Sequence, residues 1–170
     1  MMVPNTRFMF GLISLHLMMG NCTSGNEMCK ASIGGRRGAC PPTWNQWGRK
    51  CYKAITERLT WSEAKDECIK MGSVLVVPQS EEETDFLLQL QQSNFWINCN
   101  DLQDEGTWKC ENDEVEFRNW STGPQYPQPD NWDGEHCAEV WVDQEGKWND
   151  VRCDSQLPAI CNQPAPQLHF

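Results

Sequence analysis

The sequence predicts a single α+β domain stapled by disulfides, and three observations carry that expectation. Two helix signatures stand close together, a series of short strand-like runs broken by turn residues follows them, and cysteines recur through both regions. A chain of 170 residues is long enough for one domain with a sizeable core and short extensions. Nine Trp, six Phe and two Tyr supply bulky core material, and 22% charged residues give a water-soluble surface.

Behind Arg7 lies an apolar run of 12 residues, Phe8 to Met19 (FMFGLISLHLMM). It is too short to span a bilayer and has the shape of a signal-peptide core. Residues 1–24 are therefore read as a signal peptide, cleaved after Ser24 because Cys22 and Ser24 are small residues two apart; cleavage after Gly20 is the alternative. The protein is expected outside the cell, without membrane insertion. Residues 25–39 (GNEMCKASIGGRRGA) are polar and glycine-rich with no apolar period, and read as a flexible leader. The folded unit is expected over 40–162, with 163–170 as a short tail.

In 60-TWSEAKDECIKMG-72, Thr60 and Glu63 have capping-box spacing, Trp61, Ala64, Cys68 and Met71 recur on one face, and Gly72 suits a terminator. The segment 80-SEEETDFLLQLQQ-92 repeats that grammar, with Ser80 and Glu83 as the box and Phe86, Leu87 and Leu90 as the buried stripe. From 95-FWINC-99 onward, runs such as 107-TWKC-110 and 138-AEVWV-142 are separated by Gly, Asn, Asp and Pro, which predicts strands and turns. The region 121–134 holds three prolines and little periodicity, so it predicts a long irregular loop, and loops of that length are usually functional.

Charge narrows the function classes. The formal net charge is -10, from 14 basic and 24 acidic residues, with no Lys/Arg-rich run, so a nucleic-acid footprint is absent. The ten cysteines include no C-x-x-C pair, which argues for disulfides rather than a zinc ribbon or a redox centre. Eight of them (Cys40, Cys51, Cys68, Cys99, Cys110, Cys137, Cys153 and Cys161) lie in the expected domain, where spacing alone permits roughly 105 pairings. Cys29 is left over if cleavage follows Ser24 and is then a candidate for a disulfide-linked homodimer; early cleavage would allow it to pair with Cys22.

Four features fall together: Trp61 in a capped helix with Cys68, the string 96-WINCNDLQDEGTWKC-110, Gln128-Pro129-Asp130, and 148-WND-150 before Cys153. Over Cys40 to Asn162 they resemble the C-type lectin domain family. The resemblance implies that fold, with two helices, small antiparallel sheets and a long calcium-binding loop region. It implies the pairs Cys68–Cys161 and Cys137–Cys153, and also Cys40–Cys51 in the longer form that begins with a hairpin. Cys99 and Cys110 depart from the commonest family pattern, which has Leu and Trp there. They flank the turn NDLQDEGTWK, and cross-strand neighbours of a hairpin approach closely enough for a disulfide, so they are paired.

What the resemblance implies for function is a calcium ion. The family's principal site draws its ligands from positions that here are Gln128, Asp130, Glu135, Asn149 and Asp150, all with side-chain oxygens. Calcium takes about six to eight oxygens in loosely constrained geometry. The backbone carbonyl of Asp150 and two sugar hydroxyls would complete the shell, and a cis peptide before Pro129 would send Gln128 and Asp130 to the same side. Each ligand side chain could hold the ion with one atom and a sugar hydroxyl with another. Gln128 offers an NH2 donor and Asp130 only acceptors, the order that in the family goes with galactose-type sugars, whereas glutamate-proline-asparagine goes with mannose-type sugars. Carbohydrate contacts are thus expected from Gln128, Asp130, Trp132, Glu135 and Asn149. Trp132 would stack on the apolar C–H face of galactose. The best galactose binders of the family hold that tryptophan with a longer glycine-rich run, whereas only Asp133 and Gly134 separate Trp132 from Glu135 here.

A second calcium site in some members maps to Asp101, Glu105, Asn131 and His136, of which two are not acidic. His136 also lies beside Glu135, which suggests that its protonation near pH 6 repels calcium and releases sugar. Asn119 in 119-NWS-121 matches a glycosylation sequon. Catalysis has little material. Of three histidines, His16 lies in the signal and His169 in the tail, and the paired acids are accounted for as metal ligands. The expectation is a secreted lectin, not an enzyme, for glycans with terminal galactose or N-acetylgalactosamine. The alternative is a lectin-like domain whose calcium-organised loop takes a protein or other non-sugar ligand.

Overall fold

The computed structural model describes residues 38–111 and 116–167, with the backbone alone at Tyr126. The expected signal peptide, the leader up to residue 37, Cys29, and 168–170 of the tail lie outside these residues.

Both helices form where their caps predict. Helix α1 covers Trp61–Lys70, with a complete capping box between Thr60 and Glu63. The box holds the Glu63 carboxyl below its ordinary range, chiefly through the Thr60 backbone N–H. Its buried face carries Trp61, Ala64 and Cys68. Met71 falls at the C-cap rather than in the last turn, and Gly72 follows at φ 68, a conformation glycine adopts without a Cβ penalty. Helix α2 covers Glu81–Leu90, and the Ser80 side chain accepts the Glu83 N–H at 3.1 Å. Its capping box is not reciprocal. The Glu83 carboxylate accepts the Gln79 N–H at 2.8 Å and the Tyr52 hydroxyl, so it is buried, and Phe86 and Leu90 only flank the core that Leu87 enters.

Among the described residues, eight of the ten strands form one large sheet, and the other two form a separate two-stranded ribbon. In chain order the strands are β1 (Asn45–Trp47), β2 (Lys50–Leu59), β3 (Val74–Leu75), β4 (Phe95–Asn100), β5 (Lys109–Cys110), β6 (Thr122–Gly123), β7 (Tyr126–Pro127), β8 (Cys137–Trp141), β9 (Lys147–Val151) and β10 (Leu157–Pro164). The sheet runs β1-β2-β10-β4-β8-β9, with β3 added on β10 and β5 on β4. Only β4 and β10 run parallel, through Ala159 and Trp96; the other pairs are antiparallel. The region 121–134 is irregular except for the short β6–β7 ribbon within it.

One indole fastens α1 to this sheet and a second links β4 to the end of β2 just before the helix. Trp61 donates to the Ile97 carbonyl at 2.9 Å, and Trp96 donates to the Leu59 carbonyl at 2.7 Å. The Cys68–Cys161 bridge ties the same helix to β10, with Cα atoms 5.4 Å apart. Cys40–Cys51 closes the β1–β2 hairpin from outside, and Cys137–Cys153 ties β8 to the chain just beyond β9. Cys99 and Cys110 stand opposite each other on β4 and β5, Cα atoms 4.1 Å apart, and are bridged. All eight cysteines of the described residues are therefore paired as expected.

A buried cluster including Tyr52, Leu87, Phe95, Ile97, Val140 and Trp148 lies on the α2 side, and a second, built on Trp61, Cys68, Leu75, Trp96 and Cys161, lies under α1. Trp120 packs edge-on against both Trp108 and Trp148, which anchors the start of the 121–134 segment to the core. Among the described residues no helix is long and apolar enough to cross a membrane.

Candidate metal centre and ligand loop

The β8–β9 hairpin and the loop before it bring Gln128, Asp130, Glu135 and Asp150 of the expected donors together. β9 supplies Asn149 and Asp150; the loop supplies Gln128, Asp130 and Glu135. The loop can turn this sharply because of its residue types. Asn131, Asp133 and Gly134 have φ 48, 58 and 80, in the left-handed region that asparagine, aspartate and glycine enter most readily. Side chains then lock the turn. Asp130 Oδ1 accepts the Trp132 N–H at 3.1 Å, and Asn131 Oδ1 accepts the Glu135 N–H at 2.8 Å.

Asp150 fastens this loop to the sheet. Its side chain is fully buried, and its two oxygens accept the N–H groups of Asp130 at 3.1 Å and Asn131 at 2.7 Å. As a result one carboxylate oxygen each of Asp130, Glu135 and Asp150 lies within 4.8 Å of the others. Gln128 joins them through Nε2, 3.5 Å from Asp130 Oδ2, and the Gln128–Pro129 peptide is cis, as expected.

The electrostatics of this cluster ask for a cation. Burial first, and then the charges of Asp150 and Asp130, push the Glu135 carboxyl up to about 7. Burial likewise raises Asp150 despite its two backbone donors. Gln128 Oε1 is buried without a hydrogen-bond donor, an acceptor that a cation would satisfy. Three carboxylates and an amide oxygen are hard donors, which suit calcium in preference to a thiolate-seeking or imidazole-seeking metal. On donor chemistry and on this orphaned oxygen, the residues present fit a calcium ion.

Asn149 has no described hydrogen bond to these three carboxylates. Its Nδ2 donates to Glu139 Oε1 at 3.0 Å, and the Glu139 charge is near enough to contribute to the rise at Glu135. Glu139 itself is pushed up to about 7 by burial, against the donors Asn149 and Asn94. Sequence reasoning missed both Glu139 and Asn94, although an acid inside the apolar run 138-AEVWV-142 was a signal that could have found the first. Trp132 is 77% exposed and so stands in solvent beside the cluster rather than in the core.

The positions of the expected second site behave differently. Asp101 is buried, its Oδ2 accepts the Gly106 N–H at 2.8 Å, and His136 Nδ1 lies 3.0 Å from Asp101 Oδ1 and 3.1 Å from Glu105 Oε2. Asp101, Glu105 and His136 each offer a ligand atom within 4.8 Å of the others, whereas the Asn131 side-chain oxygen accepts the Glu135 N–H. The sequon asparagine Asn119 is buried, donating to the Gly146 carbonyl at 3.0 Å and accepting from Lys147 at 2.7 Å, so a glycan on Nδ2 would displace a structural hydrogen bond.

Comparison with known proteins follows the same frame. The family model for the lectin C-type domain matches residues 57–163, more than half of the chain. Human tetranectin is 39% identical over 119 residues, covering 66% of this chain and 58% of tetranectin, so the chain spans less than two thirds of that relative's length. Among solved structures, the carbohydrate-recognition domain of the mouse scavenger receptor C-type lectin superposes with a TM-score of 0.65 at 33% identity, over 74% of this chain and 98% of that one. A calcium-independent type II antifreeze protein shares the fold, with a TM-score of 0.68 at 23% identity over 75% of this chain and 95% of its own. The family match, the sheet and helix arrangement and the four disulfides agree: the chain belongs to the C-type lectin domain family.

Proposed function

We propose that the protein is a secreted, calcium-dependent carbohydrate-binding protein that prefers sugars with a terminal galactose-type ring. The observation that carries this reading is the convergence of the Asp130, Glu135 and Asp150 oxygens beside the buried, donorless oxygen of Gln128. Gln128, Asp130, Glu135, Asn149 and Asp150 would hold the ion. When bound, calcium supplies a positive centre for the oxygens of sugar hydroxyls.

The chain's own groups supply orientation. Gln128 Nε2 is a donor and Asp130 an acceptor, so a hydroxyl lying between them is read by the order in which the two stand. Trp132 offers an exposed indole face on the same loop, and such a face pairs with the C–H patch left by an axial hydroxyl. Contacts to one monosaccharide are few, so a single site binds weakly and useful avidity needs several sites. A disulfide through Cys29 would supply a second site. Four intrachain disulfides support an oxidising, extracellular location.

Passage over immobilised galactose with calcium, followed by a chelator, tests this reading. Retention and elution by chelator are expected, with weaker retention on immobilised mannose; passage straight through both columns in calcium contradicts it. A second reading, binding of a non-sugar ligand through the same loop, is favoured by the short Asp133-Gly134 link between Trp132 and Glu135. It predicts calcium binding without retention on either sugar.

A further inference from the structure

Glu139 is a buried acid in the middle of β8, 5% exposed, whose described partners are two amides and no cation. It stands directly across the β8–β9 ladder from Asn149. Its Oε1 accepts Asn149 Nδ2 at 3.0 Å and Asn94 Nδ2 at 3.1 Å. The Asn94 amide cannot be turned over, because its Oδ1 accepts the Val142 N–H at 3.0 Å and the opposite orientation would set donor against donor. Oε1 takes the fixed Asn94 donor whether or not the carboxyl carries a proton on its other oxygen, so it stands as an acceptor toward Asn149 as well. Asn149 must therefore give its nitrogen to Glu139, which turns its Oδ1 the other way, and no described residue donates to that oxygen.

Packing does not call for an acid at this position. Its neighbours Ala138 and Val140 are fully buried in the same strand, and burying a carboxylate costs more than burying an aliphatic side chain of similar size. What an aliphatic side chain could not do is fix the amide opposite. A free asparagine amide can present either oxygen or NH2 to a given point, and only the oxygen can ligate a cation.

We infer that Glu139, with Asn94 behind it, is a positioning residue that fixes the Asn149 amide with its carbonyl oxygen presented to the calcium side of β9. This inference rests on the calcium reading above. It makes the relay Val142 N–H to Asn94 to Glu139 to Asn149 a determinant of ion affinity, though Asn94 and Glu139 touch neither ion nor sugar. Groups that orient metal ligands from behind typically change metal affinity by about 10- to 100-fold when removed.

The test is calcium titration calorimetry on the wild-type protein and on Glu139→Leu, Glu139→Gln and Asn94→Ala, with a chelated melting curve for each. Glu139→Leu is expected to melt cooperatively yet bind calcium about 10- to 100-fold more weakly. Glu139→Gln keeps an oxygen that can accept from both asparagines and is expected to stay close to wild type. A folded Glu139→Leu protein with wild-type calcium affinity overturns the inference, as does a Glu139→Gln protein that loses as much affinity as the leucine variant. If Glu139→Leu does not fold, Asn94→Ala decides: weaker calcium binding with a cooperative melt supports the relay, and unchanged affinity overturns it. A wild-type protein that takes up no calcium overturns the metal reading itself, before any substitution is considered.

Discussion

Asp150 Oδ2 accepts the main-chain N–H of Asn131 at 2.7 Å, so a fully buried carboxylate on β9 pins the turn that carries the ligand loop. Its other oxygen takes the Asp130 N–H at 3.1 Å. Asp150→Ala leaves both N–H groups without their acceptor. In chelator the variant is expected to lose about 1–3 kcal/mol, read from denaturant unfolding. An unchanged midpoint would mean that the turn holds itself.

Trp132 separates recognition from folding. Because its ring stands in solvent, Trp132→Ala should change stability by less than about 0.5 kcal/mol. Losing an aromatic face should cost about 0.5–1.5 kcal/mol of galactose affinity. A glycan-binding titration in calcium beside a melting curve reads both; a large drop in melting temperature would show that the ring packs on the domain after all.

The order of donor and acceptor can be reversed without changing the number of oxygens. Gln128→Glu combined with Asp130→Asn should move retention from galactose columns toward mannose columns while calcium binding persists. Unaltered sugar preference would assign selectivity to other residues of the loop.

The Cys99–Cys110 bridge links β4 to β5 with a sequence separation of 11. Its removal by Cys99→Ala with Cys110→Ala should lower stability by about 2–5 kcal/mol, measured by guanidinium unfolding under oxidising conditions. A variant as stable as the parent would show that strand packing alone holds this hairpin.

Local chemistry was legible in the residues themselves, and long-range pairing such as Cys68–Cys161 only through the family resemblance. Thr60 and Ser80 announced both helices because a cap is satisfied within three residues. The turn between Cys99 and Cys110 exposed their pairing for the same reason of short range. Glu83 does not close a capping box on Ser80 because one of its oxygens accepts the Gln79 N–H and the other the hydroxyl of Tyr52, 31 residues earlier in the chain. Glu139 was passed over inside an apolar run because Asn94 precedes it by 45 residues. The large sheet escaped notice because β10 reaches back to β2 and β4 across most of the domain. At the site, the residue types of the ligand loop were readable one by one, but the turn of His136 toward Asp101 and Glu105 depends on β4 and β8 meeting.

The most direct measurement is the melting temperature of the purified protein in chelator and across a calcium titration. A cation bound by the folded state alone stabilises it by about 2.7 kcal/mol at a hundredfold excess over Kd. A saturable rise of several degrees with calcium is expected, abolished in Glu135→Gln with Asp130→Asn. A melting temperature indifferent to calcium at millimolar concentration would contradict the claim that these oxygens are gathered to hold an ion.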